Sequence, residues 1–123
     1  MTDIALNLVV IRSLDIERVA KFYRALGLPL QEHRHGSGPL HYAAELDSAV
    51  FEIYPRKSDT DGTTSVRLGF RVASLDAAIA ALQEVGGQIV SAPQLSEWGR
   101  RAVVEDPDGH KIELTEGPPP KTR

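Results

Sequence analysis

The pattern of apolar and polar positions predicts a strand followed by a capped helix at the start of the chain. Residues 4–11 are rich in Leu, Val and Ile and alternate only weakly, which is typical of a strand buried on both faces and central in its sheet. Residues 13–15 then offer a helix N-cap and an acidic group in the first turn. Apolar side chains recur at helical spacing up to Gly27, which suits a helix C-terminus, so a helix of about three turns is predicted.

Three short strands and a linker are predicted after this helix. The strands cover residues 29–33, 40–46 and 50–54, and a glycine-rich turn at residues 36–39 separates the first from the second. Residues 56–65 contain no apolar side chain and therefore predict an exposed linker. The first half of the chain thus predicts one strand, one helix and three further strands, a βαβββ unit.

The second half of the chain repeats this order of elements. A strand over residues 66–72 precedes a helix that begins after Ser74 and ends near Gly86. Three further strands are predicted at residues 88–90, 101–105 and 111–115. Residues 106–109, Asp-Pro-Asp-Gly, place proline and glycine where a tight hairpin turn favours them.

This internal repeat of about 60 residues predicts the fold class. Two βαβββ units give an α+β fold whose strands form a cupped, mostly antiparallel mixed sheet, with the helices on its outer face. The chain is then a single domain over residues 1–123, with repeat units 4–55 and 66–116, the linker 56–65 and a loose tail at 117–123. Functional groups are expected inside the cup.

Composition excludes several functional classes. The formal net charge of -3 gives no basic field for nucleic acid, and no apolar run approaches the roughly 20 residues that span a bilayer. No nucleic-acid or membrane partner is therefore expected, and a cytoplasmic location is. The chain has no cysteine, so a metal ion would need His, Asp or Glu ligands.

Two segments resemble one known superfamily. Residues 15–23, Asp-Ile-Glu-Arg-Val-Ala-Lys-Phe-Tyr, lead to Leu-Gly-Leu at 26–28, and residues 105–114, Glu-Asp-Pro-Asp-Gly-His-Lys-Ile-Glu-Leu, are typical of its closing hairpin. On these segments the chain resembles the glyoxalase, bleomycin-resistance and extradiol-dioxygenase superfamily, also called vicinal oxygen chelate proteins, over residues 4–116. The resemblance implies the cupped pair of βαβββ units and a small-molecule site.

The resemblance also implies a divalent metal with four ligands, one on the first and one on the last strand of each unit. The last-strand positions carry Glu52 and Glu113, which suit a metal. The first-strand positions fall on Leu8 and Arg67, neither of which can ligate a cation. The sequence therefore favours a site without the usual four-ligand metal. If nickel, zinc, manganese or iron is bound, Glu52, Glu113 and His41 are its candidate ligands.

Glu52, Glu113 and His41 are the candidate catalytic residues. Strand alternation turns both glutamates away from the apolar face and into the predicted cup, where an enclosed carboxylate can act as a general base. The alternative is that they are solvated or paired residues on an open sheet face. His41 begins the strand that is expected to pair with residues 50–54, within reach of Glu52.

Three arginines are candidate substrate-binding residues. Arg67 and Arg71 lie two apart on one strand and share a face, and Arg12 lies at the corresponding end of the first strand. Guanidinium groups in the cup would suit a carboxylate or another anionic group. Internal salt bridges with the two glutamates are the alternative.

Two aromatic residues and the remaining histidines complete the candidate set. Tyr54 is predicted to face the cup, where its hydroxyl can hydrogen-bond a ligand. Trp98, in a glycine-interrupted loop, can line the cavity, pack at the domain edge or contact a second subunit. His33 and His35 are expected at exposed loop positions, and His110 on the solvent-facing side of its strand.

These residues predict a protein that binds a small polar or anionic organic molecule in the sheet cup, comparable to bleomycin-resistance members of the superfamily. The alternative is a metal-dependent lyase, isomerase or dioxygenase of the glyoxalase type that uses Glu52 and Glu113. A third hypothesis is a metal-free enzyme with a glutamate as the base. A homodimer is expected because members of this superfamily commonly dimerise.

Overall fold

The computed structural model describes residues 3–97 and 99–117. The chain divides into two compact units, with the boundary between Thr63 and Thr64. In the described residues each unit contains one helix and one mixed four-stranded sheet, which confirms the predicted α+β class and the βαβββ repeat. Trp98 and the tail at 118–123 lie outside the described residues. Neither helix found in the described ranges is long and apolar enough to cross a membrane.

The elements of the first unit are β1 (Leu8–Ser13), α1 (Ile16–Leu26), β2 (Gln31–His33), β3 (His41–Glu45) and β4 (Val50–Pro55). Its sheet has the strand order β1-β4-β3-β2, in which β1 runs parallel to β4 and the other neighbours are antiparallel. β1 therefore lies at an edge of this sheet, and the predicted central position is wrong. The reason is that the apolar residues at positions 4 and 6 precede the strand, and Leu8 at its start is 51% exposed.

The predicted caps of α1 are confirmed. The side chain of Asp15 is the N-cap and accepts a hydrogen bond from the backbone N–H of Arg18 at 3.1 Å. The hydroxyl of Ser13 accepts one from the backbone N–H of Asp15 at 2.9 Å, which fixes the approach to the helix. Gly27 ends the helix with a φ of 121°, a conformation that a side chain would strain.

The covered face of the first sheet packs against α1. Phe51 and Ile53 of β4 are almost fully buried there, and the rings of Phe51 and Tyr23 lie 5.0 Å apart. Tyr42 of β3 is also buried, and its hydroxyl donates to a carboxylate oxygen of Glu32 at 3.3 Å. Burial, with the negative charge of Glu32, raises the pKa of Tyr42 above its usual value. The helix therefore covers one side of this sheet and does not cover the other.

The elements of the second unit are β5 (Arg67–Val72), α2 (Leu75–Glu84), β6 (Gln88–Ser96), β7 (Gly99–Glu105) and β8 (Lys111–Glu116). Its sheet has the order β5-β8-β7-β6, with β5 parallel to β8, and Ser74 caps α2 as predicted. β6 is much longer than the predicted strand at 88–90. Pro93 explains the difference, because proline usually interrupts a strand but is tolerated at a sheet edge, where β6 lies.

The hairpin between β7 and β8 is closed by a buried pair, Asp106 and His110. One carboxylate oxygen of Asp106 accepts the backbone N–H groups of Asp108, Gly109 and His110 at 2.9 to 3.0 Å. The other lies 2.9 Å from Nδ1 of His110, and both residues are at most 3% exposed. The predicted turn is confirmed, but the solvent-facing position of His110 is wrong, because Asp106 holds its ring inside.

Candidate functional site

The face of the first sheet that points away from α1 carries the candidate site, and we call it the open face. Glu52 lies between Val10 of β1 and Ala43 of β3, and Gln31 of β2 lies beside Ala43. Because alternate residues of a strand share a face, further side chains join them there. On β2, β3 and β4 these are His33, His41, Glu45, Val50 and Tyr54.

A pocket of about 570 Å³ lies on this open face, within the first unit. It is lined by Pro29, Gln31, His33, His35, His41, Ala43, Glu45, Val50 and Glu52. Its volume falls within the range of roughly 300 to 1,000 Å³ that is usual for sites of drug-sized molecules. The ionisable groups of this lining are two carboxylates and three imidazoles, and it includes no lysine or arginine.

His41 is the most deeply buried polar residue of the pocket. It is 1% exposed, and its Nδ1 lies 3.2 Å from the carbonyl oxygen of Pro39. Its Nε2 lies 3.8 Å from a carboxylate oxygen of Glu52, which confirms the predicted proximity of these two side chains. No hydrogen-bond partner for Nε2 is present among the described residues. A buried polar atom without a partner is destabilising, so this nitrogen is suited to meeting a group from outside the chain.

Aromatic rings surround His41. Its ring stacks on Tyr54 with centroids 4.2 Å apart and planes 9° from parallel. The rings of His35 and His33 have centroids 5.3 Å and 6.0 Å from that of His41. The cluster therefore presents several flat, polarisable surfaces at one side of the pocket.

His33 and His35 are exposed, as the sequence predicts, but their place in the pocket lining was missed. His33 pairs with His41 across the β2–β3 ladder, so both rings lie on the open face. Glu45 and Gln31 were also missed as lining residues. The two-residue alternation along β2 and β3 could have indicated all of them once these strands were paired in register.

Arg12 takes part in the layer next to the pocket. Its guanidinium lies 5.3 Å from the centroid of the Tyr54 ring and donates to the carbonyl oxygen of Pro55 at 3.2 Å. Its backbone N–H donates to the hydroxyl of Thr63 at 2.9 Å. Arg12 and Tyr54 are not in the pocket lining, and Tyr54 stacks on His41, which is.

Glu113 belongs to the second unit and lies on the face of its sheet that α2 does not cover, as predicted. It lies between Gly69 of β5 and Val103 of β7. A carboxylate oxygen of Glu113 is 3.3 Å from the guanidinium of Arg101, so Arg101 is its ion-pair partner. Arg67 and Arg71, on either side of Gly69, are exposed.

Within each unit, the two metal-ligand positions of the resembled superfamily lie on one face of the sheet, but one of the two carries an unsuitable residue. Leu8 shares the open face with Glu52, and Arg67 shares a face with Glu113. A leucine provides no donor atom, and a guanidinium repels a cation. Within residues 3–97 and 99–117, no group of three or more His, Cys, Asp or Glu side chains is arranged to hold a metal ion. The residues of this chain therefore do not fit the four-ligand centre.

Comparison with known proteins identifies relatives of the whole chain. A protein of Mycolicibacterium smegmatis, described as uncharacterized, is 32% identical over 112 residues, which cover 91% of this chain and 93% of that protein. TnmS3, described as an antibiotic binding protein from Streptomyces sp. CB03234, is 26% identical with a TM-score of 0.74, over 96% of this chain and 99% of its own.

A solved glyoxalase/bleomycin resistance protein from Albidiferax ferrireducens is 28% identical, with a TM-score of 0.71 over 91% of this chain and 98% of its own. The family model of the glyoxalase/bleomycin resistance protein/dioxygenase superfamily matches residues 5–114. These matches agree with the two βαβββ units and with the two segments that carry the resemblance. The chain belongs to the glyoxalase/bleomycin resistance protein/dioxygenase superfamily.

Proposed function

We propose that this protein binds a small, polar, aromatic organic molecule in the pocket of its first unit, without a four-ligand metal centre. The observation that carries the proposal is the buried Nε2 of His41. His41 and Glu52 both line the pocket, and Nε2 has no hydrogen-bond partner among the described residues. A ligand group would supply the missing partner.

The stacked rings support an aromatic ligand. The ring centroids of three histidines, His33, His35 and His41, lie 5.3 to 6.1 Å apart. Aromatic and heteroaromatic rings prefer offset-stacked or edge-on neighbours at such distances. A planar ligand would therefore gain contact area against the imidazoles, while polar groups fix its orientation.

The relatives support a binding function of the same kind. TnmS3 is described as an antibiotic binding protein, and it matches this chain over almost its whole length at 26% identity. One fold hosts many activities, so the relative alone does not assign a ligand. We therefore propose an antibiotic-like natural product as the ligand class on the combined grounds of the relative, the stacked rings and the pocket volume.

The charge of the pocket favours a neutral or cationic ligand over an anionic one. The sequence-based expectation of an anionic ligand rested on Arg12, Arg67 and Arg71, none of which lines this pocket. Glu45 and Glu52 line it instead. Two carboxylates in a partly enclosed pocket repel an anion.

The pairing of His41 with Glu52 also favours a second candidate function, metal-free proton transfer. A carboxylate and an unpartnered imidazole nitrogen that lie 3.8 Å apart can each accept a proton from one bound substrate. The test is turnover: Glu52→Gln should abolish any reaction of a bound compound while the compound still binds. A metal-dependent lyase, isomerase or dioxygenase is less well supported, because Leu8 and Arg67 stand at two of its four ligand positions.

The binding proposal is tested by screening aromatic antibiotics for thermal stabilisation and mapping each hit by backbone amide NMR. We expect shifts centred on β2, β3 and β4 of the first unit. Ala43→Leu places extra methyl groups on the pocket lining and should weaken binding by about tenfold or more, roughly 1.4 kcal/mol. Ala92→Leu, at an exposed position of β6, is the matched control. Shifts centred elsewhere, or equal binding by Ala43→Leu, would contradict the proposal.

We also propose that the protein forms a homodimer through an apolar segment near its N-terminus. Ile4, Leu6 and Leu8 are 85%, 69% and 51% exposed. A run of large exposed apolar side chains is unusual on the surface of a monomeric protein. Light scattering after gel filtration should give twice the chain mass, and Leu6→Glu should shift it to the monomer. Leu14→Glu, at a position that is 76% exposed, is the control. A monomeric parent protein would contradict this proposal.

A further inference from the structure

The two ring nitrogens of His41 have different surroundings, and the difference assigns the proton of the neutral ring. Nδ1 lies 3.2 Å from the carbonyl oxygen of Pro39, a group that can only accept a hydrogen bond. Nδ1 therefore carries the hydrogen, and Nε2 carries a lone pair. Because the side chain is 2% exposed and Nε2 has no partner in the described chain, this lone pair is a buried acceptor that lacks a donor.

Glu52 places a second acceptor beside the first. Its carboxylate oxygen is 3.8 Å from Nε2 of His41, beyond the roughly 2.7 to 3.2 Å of a hydrogen bond from nitrogen to oxygen. Neither group therefore satisfies the other. A ligand group that carries at least two hydrogens and sits between them would satisfy both.

The other groups facing this point set its charge. His33 on β2 and His35 on the following loop lie near the His41 ring, and Glu45 on β3 adds a second carboxylate to the lining. On β4, the Tyr54 ring covers the His41 ring. Arg12 of β1 lies over the Tyr54 ring and donates to a backbone carbonyl oxygen. Its guanidinium therefore contacts Tyr54 and not the residues that line the pocket.

We infer that the ligand of this pocket presents a protonated amine to Nε2 of His41 and the carboxylate of Glu52. A primary ammonium has three N–H donors and a secondary ammonium has two, and both carry a positive charge. Either suits two acceptors with a net negative field. A carboxylate or phosphate on the ligand has no hydrogen to offer and is repelled. The inference rests on the proposed function of the pocket, and names the chemical class of its ligand.

The first test needs no ligand. Nitrogen-15 NMR of the histidine rings in the full chain at about pH 8 should show His41 with hydrogen on Nδ1 and none on Nε2. His110 is the internal reference for the same tautomer, because its Nδ1 lies 2.9 Å from a carboxylate oxygen of Asp106. Hydrogen on Nε2 of His41 at that pH, in either the neutral or the charged ring, would overturn the inference.

The second test compares three probes that share an indole ring and differ only in the terminal group: tryptamine, tryptophol and indole-3-propionate. At about pH 8 we expect tryptamine to bind in the pocket at least about tenfold more tightly than the other two, the effect of one charge-assisted hydrogen bond. Equal or tighter binding of the propionate at the pocket would overturn the amine inference and leave the binding function standing. No shift at the pocket with any of the three at millimolar concentration would contradict both.

A matched pair of variants distinguishes the loss of the Glu52 acceptor from the general effect of removing one negative charge. Glu52→Gln keeps the shape of the side chain but removes its charge and adds an N–H that can satisfy Nε2 directly. The affinity ratio of tryptamine to tryptophol should then fall by about tenfold. Glu84→Gln makes the same change at an exposed position at the end of α2 and should leave the ratio as it is. A ratio unchanged in a folded Glu52→Gln protein would overturn the inference.

Discussion

The rings of His41 and Tyr54 lie in parallel contact, with centroids 4.2 Å apart, and Arg12 lies over the Tyr54 ring. This stack fixes the orientation of the His41 ring and so determines which nitrogen faces Glu52. His41 lies at the start of β3 and Tyr54 near the end of β4, so the antiparallel pairing of these two strands brings the rings together.

Removing the Tyr54 ring should therefore weaken the first unit. Tyr54→Ala should lower the free energy of unfolding by about 2 kcal/mol, less than the roughly 3 to 5 kcal/mol typical of a fully buried ring. Tyr54→Phe keeps the stack and should cost less than about 1 kcal/mol. Urea denaturation measures both, and equal losses for the two variants would show that the stack contributes little.

The buried pair of Asp106 and His110 should dominate the stability of the last hairpin. Asp106→Ala leaves three backbone N–H groups and a buried imidazole without their acceptor, so we expect a loss of about 3 to 5 kcal/mol. Asp59→Ala, in an exposed turn, is the control and should cost little. Urea denaturation monitored by circular dichroism measures both, and a loss below about 1 kcal/mol in Asp106→Ala would show that this pair contributes little to stability.

Glu113 and Arg101 should be energetically coupled. A double-mutant cycle with Glu113→Gln and Arg101→Met should give a coupling of about 0.5 to 1 kcal/mol, since both side chains are partly exposed. The matched cycle with Arg67→Met should give a coupling near zero, because Arg101, not Arg67, is the ion-pair partner. Coupling to Arg67 in place of Arg101 would instead support the predicted alternative of an internal salt bridge between Arg67 and a glutamate.

Asp61 should make the loop after β4 sensitive to acid. Its carboxylate accepts the backbone N–H groups of Lys57 at 2.7 Å and Ser58 at 3.2 Å, and the bond from Lys57 is the main reason that the pKa of Asp61 is lowered. A carboxyl whose pKa is lower in the folded protein stabilises it above the unfolded pKa, and that contribution is lost as the pH falls through the folded value.

The variant Asp61→Asn tests this directly. The melting temperature of the parent protein should exceed that of Asp61→Asn above about pH 4, and the two should converge at lower pH. Asp59→Asn, in the same loop, should follow the parent protein over the whole range. A constant difference between the parent protein and Asp61→Asn at every pH would contradict the assignment of the effect to ionisation.

Local signals in the sequence predicted most of the fold. The caps at Asp15 and Ser74, the helical spacing of apolar residues and the Asp-Pro-Asp-Gly turn each depend on neighbours within a few residues, and the structure confirms them. The repeat of βαβββ units follows from their order. The predicted length of β6 was wrong because a proline such as Pro93 interrupts an internal strand but is tolerated in a strand at the sheet edge.

Features that depend on strand pairing were harder to predict. The edge position of β1 and the pocket role of His33 and His35 depend on which strands lie side by side, which the sequence does not show directly. His110 was misplaced because its burial depends on a side-chain contact with Asp106 that strand alternation does not indicate. Glu52 and His41, by contrast, were found because both lie at alternating positions on adjacent strands.

We propose that the pocket of the first unit binds an organic molecule without a metal. The most direct measurement is a calorimetric titration with the best-binding aromatic compound, on protein as purified and after chelation, with the metal content of both samples determined by elemental analysis. We predict the same affinity in both samples and no stoichiometric metal in the chelated one. Loss of binding on chelation, with recovery on adding nickel, zinc, manganese or iron, would show instead that the pocket binds its ligand through a metal.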